Sequence, residues 1–374
     1  MASSGAVSPN FSSQRKPANN SKPTQQHAPY PPAFAGLGGS PTKTLDDPIT
    51  SIFLALFVIG AIAHMTILQV NLKRGHKFVI SGMLFGFCMA RITTCTMRLV
   101  WSTHLTNISI AIAAQVFVSA GVLLLFVINI IFAQRILRAS HPKWAWAKWL
   151  SVVFKLYYAS IVVMLIALIT CTVQTFFTLS HNTRRRDRDV QLVGATYFAV
   201  AAFLPIPLVA LRYVLPNKVE HVDKFGEGRF RTKIWVLLFS SALLTLGAAF
   251  RTGIAYVPRP RNDPAWYDSK ACFYIFNFTI EIIVVALYAA IRVDLRFHIP
   301  DGVYGPGAYS SAKKPPHHLI QARINTEEET FDDQPVDENA EEKTGDLESG
   351  ARRATVEERS EEPEAVTPAV DTSA

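Results

Sequence analysis

The sequence predicts an all-α membrane protein, a bundle of seven transmembrane helices between two disordered tails. Seven runs of about twenty mostly apolar residues lie between Ile49 and Arg292. A helix of about 20 residues rises about 30 Å, which is the thickness of the hydrocarbon core of a bilayer. In lipid, every backbone N–H and C=O group must find a partner within the protein, so such runs cross the membrane as helices.

The composition changes twice along the chain and predicts three regions. Residues 1–47 are polar and form a disordered arm, 48–297 form the transmembrane domain, and 298–374 form a disordered cytoplasmic tail. From Pro315 to the end, the tail contains 17 acidic and 5 basic residues, so it carries −12 while the rest carries +20. The basic residues flank apolar runs, so we expect a bilayer with anionic headgroups as the partner, and not nucleic acid.

We expect the spans at 49–71, 78–101, 107–133, 150–179, 190–214, 233–251 and 271–292. Acidic residues before Pro48 favour a helix start at the first span. The second span carries Arg91, and the third and fourth are long enough to tilt. In the fifth, Pro205 and Pro207 each remove an internal hydrogen bond and predict a helix kink. The sixth is the shortest, and the seventh carries Glu281.

The basic residues near the span ends predict an N-terminus outside and a C-terminus inside. With this orientation, 17 lysines and arginines lie on the cytoplasmic side and 9 lie opposite. The segment Arg184–Arg188 disagrees, because it places a basic cluster outside. Asn10 and Asn19 stand in glycosylation sequons of the arm. Thr355 follows two arginines in the tail and is a candidate phosphorylation site, although both kinds of motif also arise by chance in such sequence.

Arg91 and Glu281 are the most unusual residues, because charges inside a span are costly in lipid and usually pair. Each lies ten residues from the outer end of its span, so both are about 15 Å deep at about 1.5 Å per residue. They are candidates for a buried ion pair, which either fixes helix register or forms a ligand or switch site. Arg98 and Arg251 lie nearer the outside and could form a basic vestibule for a carboxylate or phosphate. The alternative is that both reach out to headgroups.

The sequence lacks the residues that several classes of functional site require. His64 is the one histidine deep in a span, so we expect no metal centre and no bis-histidine haem. The last span holds no lysine for a retinal Schiff base, and no phosphate-binding glycine loop or nucleophile–base pair is visible in the spacing. We therefore expect no cofactor and no enzymatic activity.

The loop segment 221–233, HVDKFGEGRFRTK, and the segment 246–253, LGAAFRTG, together with the seven spans resemble a family of uncharacterised fungal seven-transmembrane proteins. Members are often labelled family C-like G-protein-coupled receptors. The resemblance covers about residues 45–300 and implies a seven-helix fold, but no ligand or catalytic residue. Rhodopsin-like motifs are missing, since no acidic residue precedes Arg135 and the last span lacks Asn-Pro-x-x-Tyr.

These observations favour a receptor-like protein of the plasma membrane or endomembranes. An unknown small ligand would enter from outside, and a cytoplasmic signalling protein would bind the basic loops beside the regulated tail. Two alternatives stay open. The first is a transporter or exporter of a small molecule or lipid, and the second is a membrane scaffold without a ligand.

Overall fold

The computed structural model describes residues 28–30, 34–75, 77–214, 225–260 and 263–299, together with Gly305 and Tyr309. This part of the chain is helical throughout its regular structure, with one isolated antiparallel bridge between Phe34 and Pro260 and no strand. Within it, seven helical segments are long and apolar enough to cross a membrane. The prediction of an all-α bundle of seven transmembrane helices is therefore confirmed, and the protein is a multi-pass membrane protein.

The spans are numbered one to seven in chain order. They comprise Asp46–Lys73, Val79–Thr103, Ile108–Ser140, Lys148–Phe177, His181–Arg212, Phe230–Tyr256 and Lys270–Ala290. Most are longer than predicted, because their polar ends continue as helix beyond the apolar core. Span five shows this best, since the basic segment Arg184–Arg188 forms its first turns and is not a loop.

Three spans are irregular. Span one is α1 (Asp46–Lys73), span two is α2 (Val79–Thr103), and span three divides into α3 (Ile108–Gly121) and α4 (Leu123–Ser140). The short α5 (Pro142–Ala145) precedes span four, which is α6 (Lys148–Phe177). Span five divides into α7 (His181–Phe203) and α8 (Pro205–Val214). Span six is α9 (Phe230–Tyr256). Span seven consists of α10 (Lys270–Tyr274), a π-helical turn (Ile275–Thr279) and α11 (Ile280–Ala290), and α12 (Val293–Arg296) follows it.

The break in span five lies where the prolines predict it. The helix is interrupted at Leu204, and α8 begins at Pro205. Because Pro205 and Pro207 have no N–H, the usual hydrogen bonds back to Ala201 and Phe203 cannot form. The two prolines therefore divide the span.

The seven spans form a closed ring. Each span packs against the next in the chain, and span seven packs against span one. Span three also packs against spans five and six, and it is the most buried of the seven. Spans one and four are the least buried, and apolar side chains such as Val163 and Ile166 cover their exposed surfaces. These two spans thus present the largest apolar surface to lipid.

The bundle has two faces, which we name by one residue each. The Asp46 face holds Asp46, Thr103, Phe177, Tyr256 and Lys270, and the Arg292 face holds Lys73, Ser140, Lys148, Phe230 and Arg292.

The end of the N-terminal arm is ordered on the Asp46 face, which differs from the predicted disorder up to residue 47. The amide of Ala35 donates to the carbonyl of Arg259 at 2.9 Å, and the amide of Gly38 donates to the carbonyl of Asp268 at 3.0 Å. Gly38 has a φ of +76°, and a Cβ there would lie 2.6 Å from the Phe273 ring. This segment therefore covers part of the mouth of the bundle.

The boundary predicted at residue 298 also differs from the structure. Tyr309 is 5% exposed and packs against Trp146 and Phe225, with ring centroids 5.4 and 5.7 Å away. The bundle thus includes at least this residue of the predicted tail. Asn10, Asn19 and Thr355 lie outside the described residues.

Candidate functional site

Arg91 and Glu281 form a bidentate ion pair in the interior of the bundle. Nε of Arg91 donates to Oε2 of Glu281 at 2.5 Å, and Nη2 donates to Oε1 at 2.6 Å. The two side chains are 0% and 1% exposed. The structure therefore brings together the two residues for which the sequence predicts equal depth in the membrane. Their ion pair joins span two to span seven.

Span three contributes a backbone acceptor to the same arginine. Nη1 of Arg91 donates to the carbonyl oxygen of Val118 at 3.0 Å. In a continuous helix the N–H of Val122 would donate to that oxygen. At the break between α3 and α4 it donates to the carbonyl of Ala120 instead. A Cβ at Gly121 would lie 3.2 Å from the guanidinium carbon, so glycine gives the arginine room.

Span six adds a second arginine. Nη1 of Arg251 lies 3.7 Å from Oε1 of Glu281 and donates to Oδ1 of Asn277 at 3.0 Å. Asn277 lies in the π-helical turn of span seven, and its Nδ2 donates to the carbonyl of Phe273 at 3.1 Å. Arg91, Arg251, Asn277 and Glu281, named here the charge cluster, therefore hold together spans two, three, six and seven.

The surroundings of Arg91 are apolar and closely packed. The rings of Phe87 and Phe278 lie 5.6 and 5.7 Å from its guanidinium carbon, and both are fully buried. Cys95 is also fully buried in this region. Such an environment strengthens the attraction between the charges but removes their hydration, so the ion pair holds only if both partners remain.

A second group of charges lies closer to the Asp46 face. Asp46 accepts from Nη2 of Arg98 at 2.8 Å and from the hydroxyl of Tyr274 at 2.9 Å, and it also pairs with Lys270. Nη2 of Arg98 reaches the carbonyl of Gly38 in the arm as well, at 3.3 Å. We call Asp46, Arg98, Tyr274 and Lys270 the Asp46 cluster; it fastens the arm and spans one, two and seven.

The predicted vestibule of Arg98 and Arg251 is wrong as a joint site. Arg98 is 4% exposed, pairs with Asp46, and stacks on the ring of Phe273 at 4.1 Å. It therefore neither lines an open mouth nor reaches lipid headgroups. Arg251 belongs to the charge cluster instead, because its side chain points towards Glu281.

Two further polar groups continue towards the Arg292 face. The hydroxyl of Tyr288 donates to Oδ1 of Asn129 and lies 2.8 Å from the hydroxyl of Ser240. Nearer the surface, Asn71 donates to Asp294 at 2.9 Å. Asp294 also accepts from Arg292, and this hydrogen bond raises the pKa of the guanidinium above its ordinary value.

Sequence reasoning missed several members of these groups. The acidic residues before Pro48, Asp46 among them, predict only a helix start, and the sequence alone assigns no role to Asn277. One signal could have found part of the pattern: Tyr274, Glu281 and Tyr288 stand seven residues apart in span seven, which places them near one face of a helix. Within the described residues, no group of three or more His, Cys, Asp or Glu could hold a metal ion.

Comparison with known proteins gives one match. Residues 221–298 match the family model described as "Protein of unknown function (DUF3112)". The matched segment contains spans six and seven, and with them Arg251, Asn277 and Glu281, while Arg91 lies outside it. No curated protein and no solved structure matches the chain. The similarity therefore concerns one part of the bundle and indicates no activity.

Proposed function

We propose that this protein is a receptor-like membrane protein without enzymatic activity, and that the charge cluster couples its two faces. The observation that carries the proposal is the meeting of four spans on one buried ion pair, at places where two of them are irregular. Charges inside a membrane are rare and usually functional. Breaks and π-helical turns within helices are frequent at functional sites, because they permit an alternative local geometry.

Span seven provides a physical connection from this cluster to the Arg292 face. Beyond Tyr288 its end is held by two neighbours: Nη1 of Arg135 in span three donates to the carbonyl of Phe297, and the amide of Glu227 donates to the carbonyl of Leu295 at 3.1 Å. Gly226, with a φ of +58°, lies against the same turn. A shift of span seven would therefore move the segment between spans five and six.

In this proposal the ligand enters from the Asp46 face and a signalling protein binds the Arg292 face. Ligand binding can change the bundle only if the ligand prefers one of two states. The ion pair of Arg91 and Glu281 would differ between those states, because four spans depend on it. The break at Leu204 provides a hinge in span five.

The test replaces Glu281 by glutamine, which keeps the shape of the side chain and removes its charge. We expect Glu281→Gln to raise hydrogen–deuterium exchange at 225–230 and 293–297, relative to the wild-type protein in nanodiscs. Asp263→Asn is the matched control, because that carboxylate is 80% exposed in the loop between spans six and seven. Proximity labelling from the C-terminus in cells should recover a G-protein or kinase component, and Glu281→Gln should change its recovery.

Two outcomes would count against a receptor. One is an increase in exchange confined to the neighbours of Arg91, which would make the pair a local brace, as in a scaffold. The other is labelling that recovers no signalling component. Where Glu281→Gln does not fold, Glu281→Asp keeps the charge with a shorter reach, and an intermediate increase is expected.

A transporter is the second candidate, and the row of polar groups along span seven favours it. Three buried polar groups lie one after another between the two faces, and span seven contributes one side chain to each: Tyr274, Glu281 and Tyr288. Intramembrane polar residues also mark substrate paths. This reading predicts that Arg91→Ala abolishes the flux of a substrate in vesicles while the protein remains folded.

A further inference from the structure

The charge cluster contains two arginines and one carboxylate. Arg91 binds both oxygens of Glu281, at 2.5 and 2.6 Å. Arg251 approaches the same carboxylate only to 3.7 Å, which is longer than a hydrogen bond. The cluster therefore has one positive charge in excess. In an apolar interior, a charge without a counter-ion is costly, so the cluster favours the arrival of an anion.

Arg251 is the most exposed charged residue of the cluster. Its side chain is 22% exposed, whereas Arg91 and Glu281 are 0% and 1% exposed. The guanidinium nevertheless points inward, because it contacts Asn277 and lies beside Glu281. A guanidinium has five N–H donors, and Asn277 engages Nη1, so donors remain for a ligand.

Asn277 holds Arg251 in a fixed position. Its Oδ1 accepts from Arg251, and its Nδ2 is bound to the carbonyl of Phe273, so the amide is fixed at both ends. Phe250 and Phe276, the sequence neighbours of Arg251 and Asn277, stack with ring centroids 3.7 Å apart and join spans six and seven at this level. A guanidinium that is fixed in place suits a carboxylate, which can accept two of its N–H groups at once.

The basic start of span five lies near the same place. Nη2 of Arg188 donates to the carbonyl of Ala255 at 3.0 Å, one turn of α9 beyond Arg251. Arg184, Arg185 and Arg186 precede it on α7, and Lys270 begins span seven. The arginines of this α7 segment disagreed with the charge rule for orientation. A positive potential at the mouth of the bundle would attract anions, which gives them a role.

We propose that Arg251 and Asn277 form a binding site for a monovalent carboxylate between spans six and seven, on the Asp46 side of the bundle. Arg251 binds the carboxylate, Asn277 is a positioning residue, and Phe250 with Phe276 contacts the apolar body. One excess charge matches a monoanion better than a phosphate dianion. The inference deepens the proposed function by naming the class of ligand, but binding is measurable without any signalling partner.

The experiment measures binding of 4-fluorobenzoate to the full chain in nanodiscs by fluorine NMR, with empty nanodiscs as the reference for partition into lipid. We expect saturable binding that unlabelled benzoate displaces and inorganic phosphate at equal ionic strength does not. Arg251→Gln should weaken binding at least about tenfold, because it removes the charge-assisted hydrogen bond to the carboxylate. Asn277→Ala should weaken it less, and Arg259→Gln, whose side chain is 51% exposed, should leave it unchanged.

Three results would overturn the site: no saturable binding to the wild-type protein, equal affinity in Arg251→Gln, or displacement by phosphate. The wild-type competition needs no variant, so a folding defect in Arg251→Gln leaves the test intact. Saturable binding with no change in exchange at the Arg292 face would keep the carboxylate site and reject the receptor. Increased exchange at the Arg292 face in Glu281→Gln, without carboxylate binding to the wild-type protein, would keep the receptor and reject the carboxylate site.

Discussion

Arg91 shows how one residue can join three helices. Its planar guanidinium offers two parallel N–H groups to Glu281 and a third donor to Val118 in span three. Lysine has the same charge but not the flat fork that a bidentate contact needs. Gly121 supplies the space for this fork, since any larger residue there would press on the guanidinium.

The pair of Arg91 and Glu281 should show strong coupling in a double-mutant cycle. We expect Arg91→Met and Glu281→Met each to destabilise the protein by about 3–5 kcal/mol, because each removes one partner of a buried, bidentate ion pair. The double variant should recover part of that loss. Thermal unfolding in a mild detergent measures the stability of the four proteins. The exposed pair of Arg259 and Asp263, 3.9 Å apart, is the control, and we expect its coupling energy to be near zero. Additive effects in the buried pair would contradict the role assigned to it.

At the scale of elements, the irregular parts of the helices lie where side chains take over backbone hydrogen bonds. Span three breaks where Arg91 binds Val118, and the π-helical turn of span seven places Asn277 against Arg251. Span five breaks at Leu204 for a different reason, since proline lacks the N–H itself. In lipid, a helix can be irregular only where protein satisfies the freed groups.

The arm that covers the Asp46 face depends on Gly38, and two neighbouring glycines permit a matched test. Both have left-handed backbone, with φ of +76° at Gly38 and +52° at Gly39. Alanine at either position costs about 1–2 kcal/mol for that conformation. A Cβ at Gly38 would also collide with Phe273, whereas nothing lies within 4 Å at Gly39. We expect Gly38→Ala to raise hydrogen–deuterium exchange across 34–45 well above Gly39→Ala, and equal effects would show that the arm does not rest on Phe273.

At the scale of the molecule, the two faces differ in how they are closed. The arm and the Asp46 cluster close one face, and the segment around Gly226 packs on the end of span seven at the other. The ring of seven spans encloses the charge cluster between them. The coupling that we propose would run through span seven, because this span reaches the Asp46 cluster at one face and the segment around Gly226 at the other.

The orientation of the bundle is testable through the arm and the tail. We expect the Asp46 face outside, so Asn10 and Asn19 should be glycosylated in microsomes, and Asn10→Gln with Asn19→Gln should abolish the shift on a gel. Protease added to the cytosolic side should remove the acidic tail and spare the arm. An unglycosylated arm that is cleaved while the tail is protected would reverse the orientation, and the basic segment Arg184–Arg188 would then lie inside.

The sequence by itself determined the seven spans, the break at the prolines and the depth of the two intramembrane charges. These follow from local properties, since apolar length selects a helix in lipid and the rise per residue sets depth. Only the tertiary structure decided which charges meet. Arg98 and Arg251 look alike in sequence, yet Asp46 pairs with the first, and Glu281 lies beside the second. That choice depends on how neighbouring helices rotate and on breaks such as the one at Val122, and neither is encoded in the spacing of any single span.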